Sequence, residues 1–121
     1  MRIMVLDDDR ENVDILADTL RSEGYEVDEF TNPITALKRF RKSDYNVVIT
    51  DIKMPHVDGL EVLGQVKKTK PETYVILVTG FASMENSISA LNSGAYRFYR
   101  KPLDLREIIM ALRGIENNHH V

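Results

Sequence analysis

The chain has 121 residues and a formal net charge of −3, a length that fits one domain spanning residues 1–121 around one hydrophobic core. The charge excludes the basic footprint that direct nucleic-acid contact needs, and no window approaches the roughly 20 apolar residues of a membrane span. With no cysteine, disulfides and thiol chemistry are excluded; this suits a cytoplasmic protein, and strand-like sequence from the start leaves no secretory signal expected.

Ile3-Met4-Val5-Leu6 is an unbroken apolar run that finishes in Asp7-Asp8-Asp9, the pattern of a strand buried on both faces. From Glu11 the period changes: Val13, Leu16, Ala17 and Leu20 recur at helical spacing and Gly24 supplies the stop. Tyr25 to Phe30 alternates apolar and polar, a half-covered strand. Asn32-Pro33 starts a helix, with Asn as cap and Pro in the first turn, and Ile34, Leu37 and Phe40 face inward. Val47-Val48-Ile49-Thr50 is a second buried strand, and it runs into Asp51. After a loop, Asp58 and Glu61 form a capping-box-like start, with Leu60, Leu63 and Val66 on one face and Pro71 at the far end. Val75-Ile76-Leu77-Val78 is a third buried strand, ending in Thr79-Gly80. A weaker helix follows from about Ser83, with Met84, Ile88 and Leu91 inward and Gly94 as its stop. Tyr96-Arg97-Phe98-Tyr99 alternates again and Lys101-Pro102 closes it. Asp104 with Glu107 caps a last helix whose inner face is Leu105, Ile108, Ile109 and Leu112; Asn117 to Val121 reads as a frayed end.

Five strands alternating with five helices predict a parallel sheet. The three fully apolar strands belong in the centre and the two alternating ones at the edges. With right-handed crossovers this gives the order 2-1-3-4-5, a flavodoxin-like doubly wound (βα)5 fold. Its switch point lies between strands one and three, so the acids after strand one and Asp51 meet in one crevice.

Asp7, Asp8, Asp51, Thr79 and Lys101 all fall at that end of the sheet. Carboxylates held together repel, and a hard divalent cation relieves the repulsion; carboxylates with water suit magnesium. Lys101 offers a mobile charge for a phosphoryl oxygen and Thr79 a hydroxyl. A carboxylate can act as a nucleophile toward phosphorus, and phosphoryl transfer needs mostly positioning and charge neutralisation.

The pieces Val5-Leu6-Asp7-Asp8-Asp9, Asp51-Ile52-Lys53-Met54-Pro55 with Asp58-Gly59, Val78-Thr79-Gly80, Gly94-Ala95 and Lys101-Pro102 together resemble a bacterial two-component response-regulator receiver domain, closer to the nitrogen-regulation type through Val78 to Ser83. The resemblance covers nearly the whole chain. It implies that Asp51 accepts a phosphoryl group from a sensor histidine kinase or phosphotransfer protein. Asp8 would ligate Mg2+ directly, Asp7 mostly through water, and the Lys53 backbone carbonyl would complete the set with Asp51. Thr79 and Lys101 would bind the phosphoryl group, the Lys101-Pro102 bond would be cis, and Thr79 with Phe98 would form the switch. Phe98 lacks a hydroxyl, so it would act through ring packing alone. Lys53 and Phe81 would shield the phosphoryl group from water. The resemblance further implies an unknown output domain or effector, a phosphorylation-dependent homodimer, and self-catalysed phosphorylation and dephosphorylation without enzymatic turnover. No output domain is expected after the last helix, so the chain is either a stand-alone receiver or a piece of a longer regulator.

Each residue also has a plainer reading. Asp51 alone is a loop acid, Thr79 a strand-end residue, Lys101 a surface lysine, Asp9 a helix-start acid and His56 an exposed loop residue. Three other functions fit parts of the pattern. A magnesium-dependent phosphatase with an aspartyl nucleophile needs a second Asp where Lys53 stands. A flavodoxin needs a Ser/Thr/Gly-rich phosphate loop where Asp7-Asp8-Asp9 stands. A phosphorylation-deficient receiver would act only as a binding module.

Overall fold

The computed structural model describes residues 1–80 and 89–119. Its elements run β1 (Arg2–Leu6), α1 (Arg10–Ser22), β2 (Glu26–Phe30), α2 (Pro33–Lys42), β3 (Val47–Asp51), α3 (Gly59–Thr69), β4 (Tyr74–Thr79), β5 (Arg97–Arg100) and the last helix, Leu105–His119. Between β4 and β5, residues 89–92 are the described part of a further helix, α4, so the last helix is α5. The five strands are all parallel, in the order β2-β1-β3-β4-β5. This is the predicted doubly wound topology. No helix among the described residues is long and apolar enough to cross a membrane.

The period-2 alternation of a strand sends successive side chains to opposite faces, which is why the apolar runs of β1, β3 and β4 feed two cores. Ile3, Val5, Val47, Ile49, Ile76 and Val78 pack toward α1 and α5, against Val13, Leu16, Leu20, Ile108, Leu112 and Ile115. Met4, Leu6, Val48, Val75 and Leu77 pack on the other side against Phe40, Leu63 and Val66. The edge strands carry the polar residues, which also blunts their open edges against pairing with another chain.

The helix boundaries follow the caps. Asp9, Asn32 and Asp58 each accept hydrogen bonds from backbone N–H groups of the first turn. At Asp58 only half of a capping box forms: its carboxylate accepts from Glu61 N at 2.9 Å. Gly24 and Gly94 end α1 and α4 with φ of +94° and +102°, where a side chain would be strained.

Three expectations need correction. Ile34 and Leu91 are 47% and 50% exposed rather than inward, and Ala36 and Ala90 take the inward places. In α3 the fully buried trio is Val62, Leu63 and Val66, with Leu60 half-covered. The helix α5 continues through His119 instead of fraying from Asn117. Met84 and Ile88, assigned inward positions on the fourth helix, lie outside the described residues.

The edge strand β2 is tied down by charge. Asp28 accepts from Arg2 Nη2 at 3.0 Å and from the Tyr45 hydroxyl at 2.6 Å, and the Arg2 guanidinium lies 4.7 Å from the centre of the Tyr45 ring. Burial alone pushes the Asp28 carboxyl up, but the bonds from Tyr45 and Arg2 outweigh it and hold it below its ordinary value. Burial and the Asp28 carboxylate push the Tyr45 hydroxyl up to about 12. A carboxyl depressed by folding stabilises the fold above its unfolded value of about 4 and loses that contribution as pH falls through its folded value. Asp28→Asn is therefore predicted to be less stable than wild type at neutral pH, with the gap closing below about pH 4. Urea unfolding across a pH series checks this; a gap that persists unchanged at low pH contradicts it.

Candidate functional site

The crevice is built by the carboxyl ends of β1, β3 and β4, where open α/β sheets hold their ligands. Because β1 and β3 are neighbours, with Leu6 opposite Thr50, the residues that follow them are forced together. Asp7, Asp8 and Asp51 each offer a carboxylate oxygen, and these atoms all lie within 4.8 Å of one another. Asp7 and Asp51 are 6% exposed, whereas Asp8 faces solvent. Thr79, at the end of β4, is buried beside them.

Lys101 enters from the far side of the sheet. Its backbone N–H donates to the Thr79 carbonyl at 2.9 Å, and the following Lys101-Pro102 bond is cis. The side chain then reaches across β4. Its Nζ donates to Asp7 Oδ2 at 2.7 Å and to Asp51 Oδ2 at 3.0 Å. One ammonium thus holds two buried carboxylates. Asp7 is further fixed by the Asp9 N–H, which donates to Asp7 Oδ1 at 3.0 Å.

The charges are not balanced. Burial lifts the Asp51 carboxyl above its ordinary value; Lys101 pulls it down and Asp7 pushes it up again. Burial, with the Asp7 carboxylate, likewise raises Asp8. Burial works against the charge on Lys101, but Asp7 and Asp51 together keep its ammonium above the ordinary lysine value. Most telling is Asp51 Oδ1, which is buried with no hydrogen-bond partner among the described residues. A buried polar atom left bare costs about 1–3 kcal/mol. A hard cation is what three clustered carboxylates with one bare buried oxygen fit. The donor set is all oxygen, which suits magnesium rather than zinc or copper.

The loop leaving β3 is held against the sheet by Gly59. Its N–H donates to Ile52 O at 2.8 Å. A Cβ at this position would stand 2.2 Å from Asp51 O and 2.7 Å from Ile52 Cα, so α3 can start this close to the phosphoacceptor candidate only with glycine there. The sequence motif Asp58-Gly59 marked the place but carried no local sign of this approach. Lys53 lies in the same loop with its side chain exposed, His56 is exposed with φ of +72°, and Gly80 has open space beside it. Asp9 caps α1, accepting from Glu11 N at 3.0 Å. Phe98 is half-buried on β5 and packs on the Leu63 side of the sheet, away from the carboxylates. Phe81 lies outside the described residues. An apolar cleft of about 520 Å3 opens beside Asp7 and Lys101, floored by Val5, Ile49 and Val78 and walled by Ile15 and Leu103; no sequence signal announced it, because its walls come from separate elements.

The response regulator receiver domain family matches residues 3–113, and the chain belongs to that family. It is 36% identical over 110 residues to the transcriptional regulatory protein ZraR of Klebsiella oxytoca, covering 91% of this chain and 25% of that protein. The chain spans about a quarter of the length of the curated relatives it matches. Its fold superposes with a TM-score of 0.92 on a CheY-like response regulator receiver domain protein from Methanospirillum hungatei JF-1, at 32% identity and covering 98% of this chain and 96% of that one. Against the response regulator protein TrrA of Thermotoga maritima, solved in complex with Mg(2+)-BeF, the TM-score is 0.85 at 33% identity, covering 94% and 97% of the two chains.

Gly59→Ala tests the geometry of the site. The added methyl meets backbone rather than a movable side chain, so the variant is predicted to lose about 1–3 kcal/mol, a fall in Tm of roughly 4–12 °C for a domain of this size. Thermal unfolding by circular dichroism checks it, and an unchanged Tm contradicts the close approach.

Proposed function

We propose that residues 1–121 form one receiver domain acting as a phosphorylation switch, with Asp51 as the phosphoacceptor. The observation that carries this is the asymmetric state of Asp51: Oδ2 is held by Lys101, while Oδ1 is buried and bare beside Asp7 and Asp8. Asp7, Asp8, Asp51 and the Lys53 carbonyl would hold Mg2+, which when bound neutralises charge on the carboxylates and on the incoming phosphoryl group. The Mg(2+)-BeF complex of TrrA supports that choice of ion.

The chain's own residues do the rest. A carboxylate oxygen of Asp51 attacks phosphorus as the bond to the donor breaks, giving an acyl phosphate on Asp51. The donor is a phosphohistidine of a sensor kinase or phosphotransfer protein. The apolar cleft beside Asp7 suits side chains of such a partner. Lys101 follows the growing negative charge with its ammonium, and the buried Thr79 hydroxyl binds a phosphoryl oxygen. Once phosphorylated, Asp51 competes for Lys101 with Asp7, and Thr79 moves toward the new group. Phe98, next to Leu77 in the β4–β5 register, then repacks as the switch. The changed face controls an output domain or effector and supports a homodimer. The domain works in the cytoplasm, and it promotes its own phosphorylation and dephosphorylation without acting as a turnover enzyme.

Intact mass after incubation with acetyl phosphate and Mg2+ tests this. Wild type is predicted to gain one labile phosphoryl group, EDTA to prevent the gain, and Asp51→Asn to show none. Equal uptake by Asp51→Asn contradicts the assignment. No uptake by wild type, from acetyl phosphate or from a phosphorylated phosphotransfer protein, leaves the binding-only receiver in its place.

A further inference from the structure

Helix α2 carries charge that no ion pair answers among the described residues. Pro33–Lys42 contains no acid and presents Lys38, Arg39, Arg41 and Lys42 to solvent, in a chain whose net charge is −3. None of these side chains forms an ion pair among the described residues. Arg41 donates to the neutral Gln65 side chain at 3.1 Å. Arg39 feels Asp28 at longer range, but that carboxylate is already held by Arg2 and Tyr45. Cations in the last turn suit the helix dipole, which accounts for their sign and not for the groove beside them. Lys38, Arg39 and Lys42, with Thr35 and Phe30, line a shallow, open groove at the end of edge strand β2. Ile34 stands 47% exposed one turn before Lys38.

We propose that this face of α2 is a docking surface for an acidic segment of another protein, with carboxylates on Lys38, Arg39 and Lys42 and an apolar side chain set against Phe30 and Ile34. The shape of the patch argues for a segment. From Thr35 to Lys42 the helix rises about 10 Å, longer than one anion and matched to a short run of carboxylates. Charge argues for protein over nucleic acid. With a pI near 5.6, the domain as a whole repels a long polyanion, whereas a short segment touches α2 alone. None of these residues belongs to the phosphoacceptor crevice, so the surface stands or falls independently of Asp51.

The test is an amide NMR titration of the full chain with the peptide acetyl-EELDEEL-amide at about 20 mM and about 200 mM salt. Saturable shifts at the α2 amides and Phe30, with affinity about tenfold weaker at the higher salt, support the surface. The double variant Lys38→Glu, Lys42→Glu is predicted to lose at least about tenfold in affinity and Ile34→Ala about two- to fivefold. Amide spectra of both variants should match wild type away from α2, showing that they fold. Unchanged affinity in the double variant overturns the proposal. So does tighter binding of the same face to duplex DNA or to phosphatidylserine vesicles than to the peptide.

Discussion

The structure turns on one electrostatic constraint: three carboxylates share a crevice with one ammonium. Asp7, Asp8 and Asp51 each place a carboxylate oxygen within 4.8 Å of the others, and among the described residues Lys101 alone forms ion pairs with them, to Asp7 and Asp51. Taking such charges out of water is costly unless they are paired, and here the pairing is incomplete. Both Asp8 and Asp51 are pushed above their ordinary values, and one oxygen of Asp51 is bare. The scaffold that tolerates this is the central part of the sheet. The strands β1, β3 and β4 are buried on both faces by two cores, and their packing holds the acids where charge alone would spread them apart. The site is therefore strained in favour of whatever brings positive charge to it.

The same constraint ties the site to the end of β4 and to the residues after β5. Among the described residues Lys101 is the one cation bonded to both Asp7 and Asp51, and its backbone is bonded to the end of β4. New charge on Asp51 would redistribute those contacts, which join the ends of β1, β3 and β4. Gly59 fixes the opposite wall through backbone contact.

Much of this was legible in the sequence. The buried strands announced themselves as apolar runs, and the alternation of Tyr25 to Phe30 marked an edge. That contrast was enough to order the sheet, and the order brings Asp7, Asp8 and Asp51 together without further information. The helix faces were read less well, for a consistent reason. The helical spacing of apolar residues points Ile34 and Leu91 inward, yet Ala36 and Ala90 hold those places; a small residue lets a helix approach the sheet closely, and hydrophobic weight does not report that. The extension of α5 to His119 was hidden by its polar sequence, because the Glu116 carboxylate that accepts from the distant Tyr25 hydroxyl is a tertiary contact. The role of Gly59 was hidden likewise, since the atom it avoids belongs to a residue on another element.

The most direct measurement is a crystal structure of the chain grown with Mg2+ and beryllofluoride. The account predicts a cation about 2.1 Å from oxygens of Asp8 and Asp51, with the fluoride adduct on Asp51 and Lys101 Nζ turned toward it. A structure with the cation elsewhere, or with Asp51 Oδ1 still bare and no adduct formed, would contradict it.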